Sequence, residues 1–160
     1  MSLDSHVRIK KRKFLKVNPA ILLIEDNSGD VRILLNAFNE IDWRPAVTVI
    51  ENGEKALSYL GLGAHPHCGS RPDFILIDLN LPGKNGFEFL SEVVADRELS
   101  RIPAAILTSS EVLEDMMKGY DCGVDFFLTK PCDWSGYVTL ARAIKNSWSC
   151  VRGESIDFDR

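Results

Sequence analysis

Apolar residues come along this chain in two alternating rhythms. Short runs fill residues 20–24 (AILLI), 46–50 (AVTVI), 74–77 (FILI), 103–107 (PAAIL) and 124–128 (VDFFL). Each has the length and the apolar or β-branched content of a strand. Between the runs, apolar residues recur at helical spacing. The first such stretch holds Val31, Leu34, Leu35, Phe38 and Ile41, and the second Ala56, Leu57 and Leu60. The third follows Phe87 and is expected to carry Leu90, Val93 and Val94 inward, and the fourth carries Val112, Leu113, Met116 and Met117. The last holds Trp134, Tyr137, Val138, Ala141, Ile144 and Trp148. Polar residues mark the joins. Ser28 is placed to cap the first helix, Asn52-Gly53 to turn into the second, Ser109 or Ser110 to cap the fourth and Asp133 the last. Five strand–helix units in series predict an α/β fold, a parallel sheet with helices on both faces and right-handed crossovers.

Two segments depart from this rhythm. Residues 81–86 (LPGKNG) form a loop rich in helix and strand breakers, and residues 61–72 (GLGAHPHCGSRP) a longer one. The longer loop holds His65, His67 and Cys68. Three neighbours in a flexible loop, with no second cluster to complete a tetrahedral site, argue against a metal there.

Charge divides the chain. Within residues 1–20, Arg8, Lys10, Lys11, Arg12, Lys13 and Lys16 face Asp4 alone, which makes this arm +5. Since the whole chain carries −4, residues 21–160 sum to −9. An acidic body argues against a nucleic-acid-binding domain, and residues 1–18 read as a solvated basic arm. No apolar run reaches the length of a membrane span, and no signal-peptide core opens the chain. The four scattered cysteines form no CxxC pair, which suits reduced thiols and a cytoplasmic location. The domain is expected over residues 19–148, with 149–160 as a tail.

The strand ends carry the chemistry. The first run stops at Glu25-Asp26, the third at Asp78, the fourth at Thr108, and the fifth leads to Lys130-Pro131. In a parallel α/β sheet these carboxyl ends share one edge, where ligands bind. Three carboxylates brought together repel one another unless a cation lies between them, and an all-oxygen donor set suits Mg²⁺. Mg²⁺ held by one or two carboxylates commonly completes its shell with phosphoryl oxygens. Asp78 is the best nucleophile, since it follows the most apolar run and precedes a loop expected to leave it open. Lys130 supplies a second positive contact, and Thr108 a hydroxyl for the transferred group.

These residues resemble a receiver domain, the CheY-like response-regulator half of two-component signalling. The resemblance spans roughly residues 19–148. It is carried by Glu25-Asp26-Asn27, by Asp78 with Leu79-Asn80-Leu81-Pro82 and Gly86, by Thr108-Ser109, and by Lys130-Pro131. It implies a flavodoxin-like (βα)5 sandwich, and a signalling domain rather than an enzyme. Asp78 would be the phosphoacceptor, Asp26 a direct Mg²⁺ ligand, Glu25 a ligand mainly through water, and the Asn80 carbonyl a further ligand. Thr108 would be the switch hydroxyl, Lys130 the cation on the phosphoryl group, and Phe127 the rotating aromatic. Pro131 would follow a cis Lys-Pro bond. Glu25, in place of the commoner Asp, lengthens one arm without removing its charge.

The opening IEDN…DV, the LNLPGKNGFE stretch and the long loop look most like the small stand-alone regulators that partner bacterial phytochrome kinases. The expected partner is therefore a sensor histidine kinase. The expected output is a changed surface on the fourth helix, fifth strand and fifth helix, read by a target or by a second copy of the chain. Trp134, Tyr137 and Trp148 supply the aromatic area for that homodimer. The alternative is a phosphorelay shuttle to a histidine phosphotransfer protein. Twelve residues after Trp148 leave no room for a DNA-binding domain. A haloacid-dehalogenase-type phosphatase would need a second acid at position 80, where this chain has Asn80.

Overall fold

The computed structural model describes residues 18–63, 69–109 and 121–153. The basic arm, His65, His67 and Cys68, the expected fourth helix and most of the tail lie outside the described residues. Strands β1 (Ala20–Ile24), β2 (Ala46–Ile50), β3 (Phe74–Asp78), β4 (Ala104–Thr108) and β5 (Phe126–Thr129) form one sheet in the order β2-β1-β3-β4-β5. All its pairings are parallel. Helices α1 (Ser28–Glu40), α2 (Gly53–Tyr59) and α3 (Gly86–Ala95) follow the first three strands, and a C-terminal helix spans Trp134–Val151.

Alternate residues of the sheet feed two cores, because successive side chains leave opposite faces of a strand. Phe74 and Leu76 pack with Ile21, Leu23, Leu34 and Ile144, under α1 and the C-terminal helix. Ile75 and Ile77 pack with Leu22, Ala56, Phe89 and Leu90, under α2 and α3. Covering both faces requires the central strands to be apolar throughout, and every residue of β3 and β4 is buried. At the edge, β2 is partly exposed.

The β1 and β4 ends opposite the site are clamped by aspartates. Asp73 accepts from the Ala20 amide at 2.8 Å, and Asp125 from the Ala104 amide at 2.9 Å. Asp125 also donates its amide to the Ala104 carbonyl, so β5 begins at Phe126, two residues later than the run from 124 predicts.

Three further expectations are corrected. The cap of α1 is Asn27, not Ser28: its side chain accepts from the Gly29 and Asp30 amides. Val94 does not point inward but is 42% exposed, lying over Gly123. Of the three C-terminal aromatics, Tyr137 is buried, and Trp148 packs edge-on against Phe74 with ring centroids 6.5 Å apart. Only Trp134 is open, at 48% exposure. Among the described residues no helix is long and apolar enough to cross a membrane.

Candidate functional site

The first crossover of the chain runs from β1 to one side of the sheet, and the chain then returns to place β3 on the other side of β1. Strand order therefore switches between β1 and β3, which opens a crevice at their carboxyl ends. Glu25 and Asp26 emerge from one side of that crevice and Asp78 from the other. One carboxylate oxygen from each lies within 4.8 Å of the others.

Local bonds fix each of these groups. Glu25 is buried, and its carboxylate accepts from the Asn27 amide at 3.0 Å as the chain turns into α1. Asp78 Oδ1 accepts from the Asn80 amide at 2.9 Å. The loop after Asp78 ends in a reciprocal cap: Asn85 accepts from the Glu88 amide, and Glu88 from the Asn85 amide. Asp26 and Asn80 are exposed, whereas Asp78 is only 6% exposed, so the loop does not leave it open as expected.

Lys130 closes the site from β5. Its ammonium donates to Glu25 at 2.5 Å, to Asp78 at 2.9 Å and to Asp30 at 3.0 Å. Burial pulls the ammonium toward neutrality, but the bonds to Asp78, Glu25 and Asp30 outweigh it and hold Lys130 above its ordinary range. Glu25 is also held high. Burial is the main cause, Lys130 and the Asn27 amide oppose it, and the charge of Asp78 adds to it.

Thr108 is fully buried at the end of β4, beside Leu107, which pairs with Asp78 across the sheet. Its carbonyl accepts the Lys130 amide at 2.7 Å. Phe127 is half-buried on β5 opposite Ile106. Pro131 is joined to Lys130 by a trans bond, since the described residues contain no cis peptide; the expected cis bond is corrected.

Asp30 was not singled out from the sequence. It stands in the first turn of α1, four residues after Asp26, where an acid has the ordinary task of complementing the helix dipole. Its position one turn beyond the acidic pair was the available signal. Its second oxygen lies 3.4 Å from the Tyr137 hydroxyl of the C-terminal helix. Burial chiefly raises Tyr137 above the usual phenol range, with the Asp30 charge next.

The crevice opens into a groove of about 930 Å³ lined by Glu25, Asp26, Val31, Val49, Tyr59 and Lys84. On its rim Lys55 pairs with Glu51 and Lys84 with Glu92.

Two substitutions test this geometry. Gly86 approaches the Asp78 backbone so closely that a Cβ would sit 2.9 Å from the Asp78 carbonyl and 3.1 Å from the Leu79 Cα. Gly86→Ala is expected to push the loop after Asp78 aside and destabilise the fold by about 1–3 kcal/mol, read by urea unfolding. Asp26 is exposed and adds repulsion without a bond to Lys130. Asp26→Asn is expected to raise the thermal midpoint by roughly 1–3 °C while weakening any divalent-cation binding about tenfold, the trade common at functional sites.

A doubly wound five-stranded sheet with acids, a hydroxyl and a lysine at its carboxyl edge defines a class of signalling domain. Residues 21–142 match the response regulator receiver domain model, and the chain belongs to that family. Among relatives, it is 30% identical over 128 residues to response regulator Rcp1 of Synechocystis, covering 80% of this chain and 87% of the other. A probable methanogenesis regulatory protein, FilR2 of Methanothrix harundinacea, is 33% identical, with 80% and 82% covered. Of solved structures, the phosphorylated cyanobacterial phytochrome response regulator RcpA aligns with a TM-score of 0.73 at 35% identity, covering 82% of this chain and 94% of that one. The Mn²⁺-bound form of Rcp1 also aligns at 0.73, with 27% identity and 89% and 97% covered. The expected likeness to phytochrome-associated regulators is therefore met. The chain has the family's acidic pocket, and its hard oxygen donors fit a divalent cation of the Mg²⁺ or Mn²⁺ kind.

Proposed function

We propose that Asp78 accepts a phosphoryl group from the phosphohistidine of a sensor kinase and that this protein acts as a phosphorylation-controlled switch. The observation carrying the reading is the ammonium of Lys130, 2.9 Å from Asp78 in a pocket whose other carboxylates suit a divalent cation. In the transfer, a P–O bond forms at the Asp78 carboxylate and the P–N bond of phosphohistidine breaks. The released imidazole nitrogen then takes up a proton from solvent. Glu25, Asp26, Asp78 and the carbonyl of Asn80 would hold Mg²⁺, which when bound neutralises charge on the transferred group. Lys130 gives that group a second cationic contact.

The new phosphoryl group adds about −1.5 to −2 charges and three acceptor oxygens. Thr108, buried one strand away, is the hydroxyl proposed to turn toward it. Phe127 on β5 is proposed to follow inward, so that β5 and the C-terminal helix present an altered surface. A homodimer through that surface would rest on Trp134, the one exposed aromatic of the three. The phytochrome-type kinase is proposed as phosphodonor because relatives described as phytochrome and bacteriophytochrome regulators share this fold at 32–35% identity. Cys122, Cys132 and Cys150 are free thiols, which suits the cytoplasmic location proposed with it.

Intact-mass analysis after incubation with acetyl phosphate tests the reading. One phosphoryl adduct that forms with Mg²⁺ and disappears with chelator supports it; an adduct indifferent to metal contradicts it.

A further inference from the structure

Asp30 is a fourth carboxylate at a site whose cation cluster contains three. The Lys130 ammonium has three N–H groups and directs them to Glu25, Asp78 and Asp30. Two of those partners, Glu25 and Asp78, belong with Asp26 to the cluster able to hold a cation. A divalent cation and the ammonium therefore draw on the same two carboxylates and repel each other. Of the three partners of Lys130, only Asp30 stands outside the cluster.

Asp30 is itself held from two directions. Its amide donates to Asn27 Oδ1 at 3.2 Å, which sets the first turn of α1. One carboxylate oxygen faces Lys130, and the other accepts from the Tyr137 hydroxyl at 3.4 Å. Tyr137 is buried against the core beneath the C-terminal helix. Independently of Lys130, the carboxylate is thus oriented by the C-terminal helix, which does not carry the acidic cluster.

We propose that Asp30 is a positioning residue: it keeps Lys130 beside Asp78 while Glu25 and Asp78 are drawn to a divalent cation. The inference rests on the phosphoacceptor reading and adds a residue to it. Without Asp30, Lys130 falls back on Glu25 and Asp78 and competes with the cation for both.

Titration calorimetry with Mg²⁺ on four proteins tests this: wild type, Asp30→Asn, Lys130→Met and the double variant. Asp30→Asn is expected to weaken Mg²⁺ binding about threefold to tenfold when Lys130 is present, and less than about twofold when it is absent. Equal losses in both backgrounds would make Asp30 a distant charge and overturn the proposal, as would no loss beside Lys130. A second readout needs only Asp30→Asn. Its phosphorylation by acetyl phosphate should stay about threefold to tenfold slower than wild type even at saturating Mg²⁺, because Lys130 is then no longer held beside Asp78; return to the wild-type rate at saturation counts against positioning. Failure of the wild type to bind Mg²⁺ would refute the site reading itself. Binding by the wild type with Asp30→Asn unaltered refutes only this inference.

Discussion

Asp78→Asn is expected to reduce phosphorylation from one equivalent to none while leaving the protein folded. The amide keeps the volume of the carboxylate and can still accept from the Asn80 amide and from Lys130, the two contacts that fix Asp78. It lacks the anionic oxygen needed to form an acyl phosphate. It also removes one of three negative groups that crowd within 4.8 Å, so stability should not fall. Mass spectrometry for the adduct and thermal unfolding for the fold give the two readouts. A folded Asp78→Asn protein that still takes up a full equivalent would place the acceptor elsewhere.

The second large effect is on stability. Lys130→Met is expected to destabilise the protein by about 3 kcal/mol at neutral pH, because removing one partner leaves buried opposite charges unpaired. For a chain of this size that corresponds to a fall of roughly 6–12 °C in the thermal midpoint. The methionine fills the space of the lysine stem, so the loss reports charge rather than a void. Its pH dependence is distinctive. Glu25 is already held high, chiefly by burial and against the pull of Lys130, so it rises further when that pull is removed. A carboxylate whose folded-state value exceeds its unfolded value stabilises the fold while protonated. That contribution is lost as pH rises through the folded value. The deficit of Lys130→Met should therefore be largest at neutral pH and shrink as pH falls toward the raised range of Glu25. Unfolding followed from pH 7 toward pH 5 checks this, and a deficit that is constant across that range would contradict it.

The sheet and the residues of the crevice were legible because both follow from patterns of short range. An apolar run of strand length that ends on a polar residue places that residue at the carboxyl edge. Glu25, Asp78 and Thr108 obey that rule, and Asp26 and Lys130 follow one residue beyond such an ending. What the sequence hid depends on contacts between distant segments. Asp30 reads as an ordinary first-turn acid, and only folding brings Lys130, a hundred residues later, to its carboxylate. Val94 continues a helical stripe, yet α3 presents it beside Gly123 rather than to the core. Tyr137 and Trp148 read as candidates for an interface because aromatic residues serve cores and surfaces alike; their packing on Asp30 and Phe74 is tertiary information. Asn27 and Ser28 are both good caps, and the choice between them falls to the residue whose side chain reaches the Gly29 and Asp30 amides.

Borohydride trapping of the phosphorylated protein tests the central claim most directly. Hydride reduces an acyl phosphate to an alcohol with loss of phosphate, so an aspartyl-phosphate leaves homoserine at its own position. Peptide mapping is predicted to find homoserine at position 78 alone, in amounts that follow Mg²⁺ and the phosphodonor. Reduction at Asp26 or Asp30, or phosphate retained on a serine, threonine or histidine, would contradict the account.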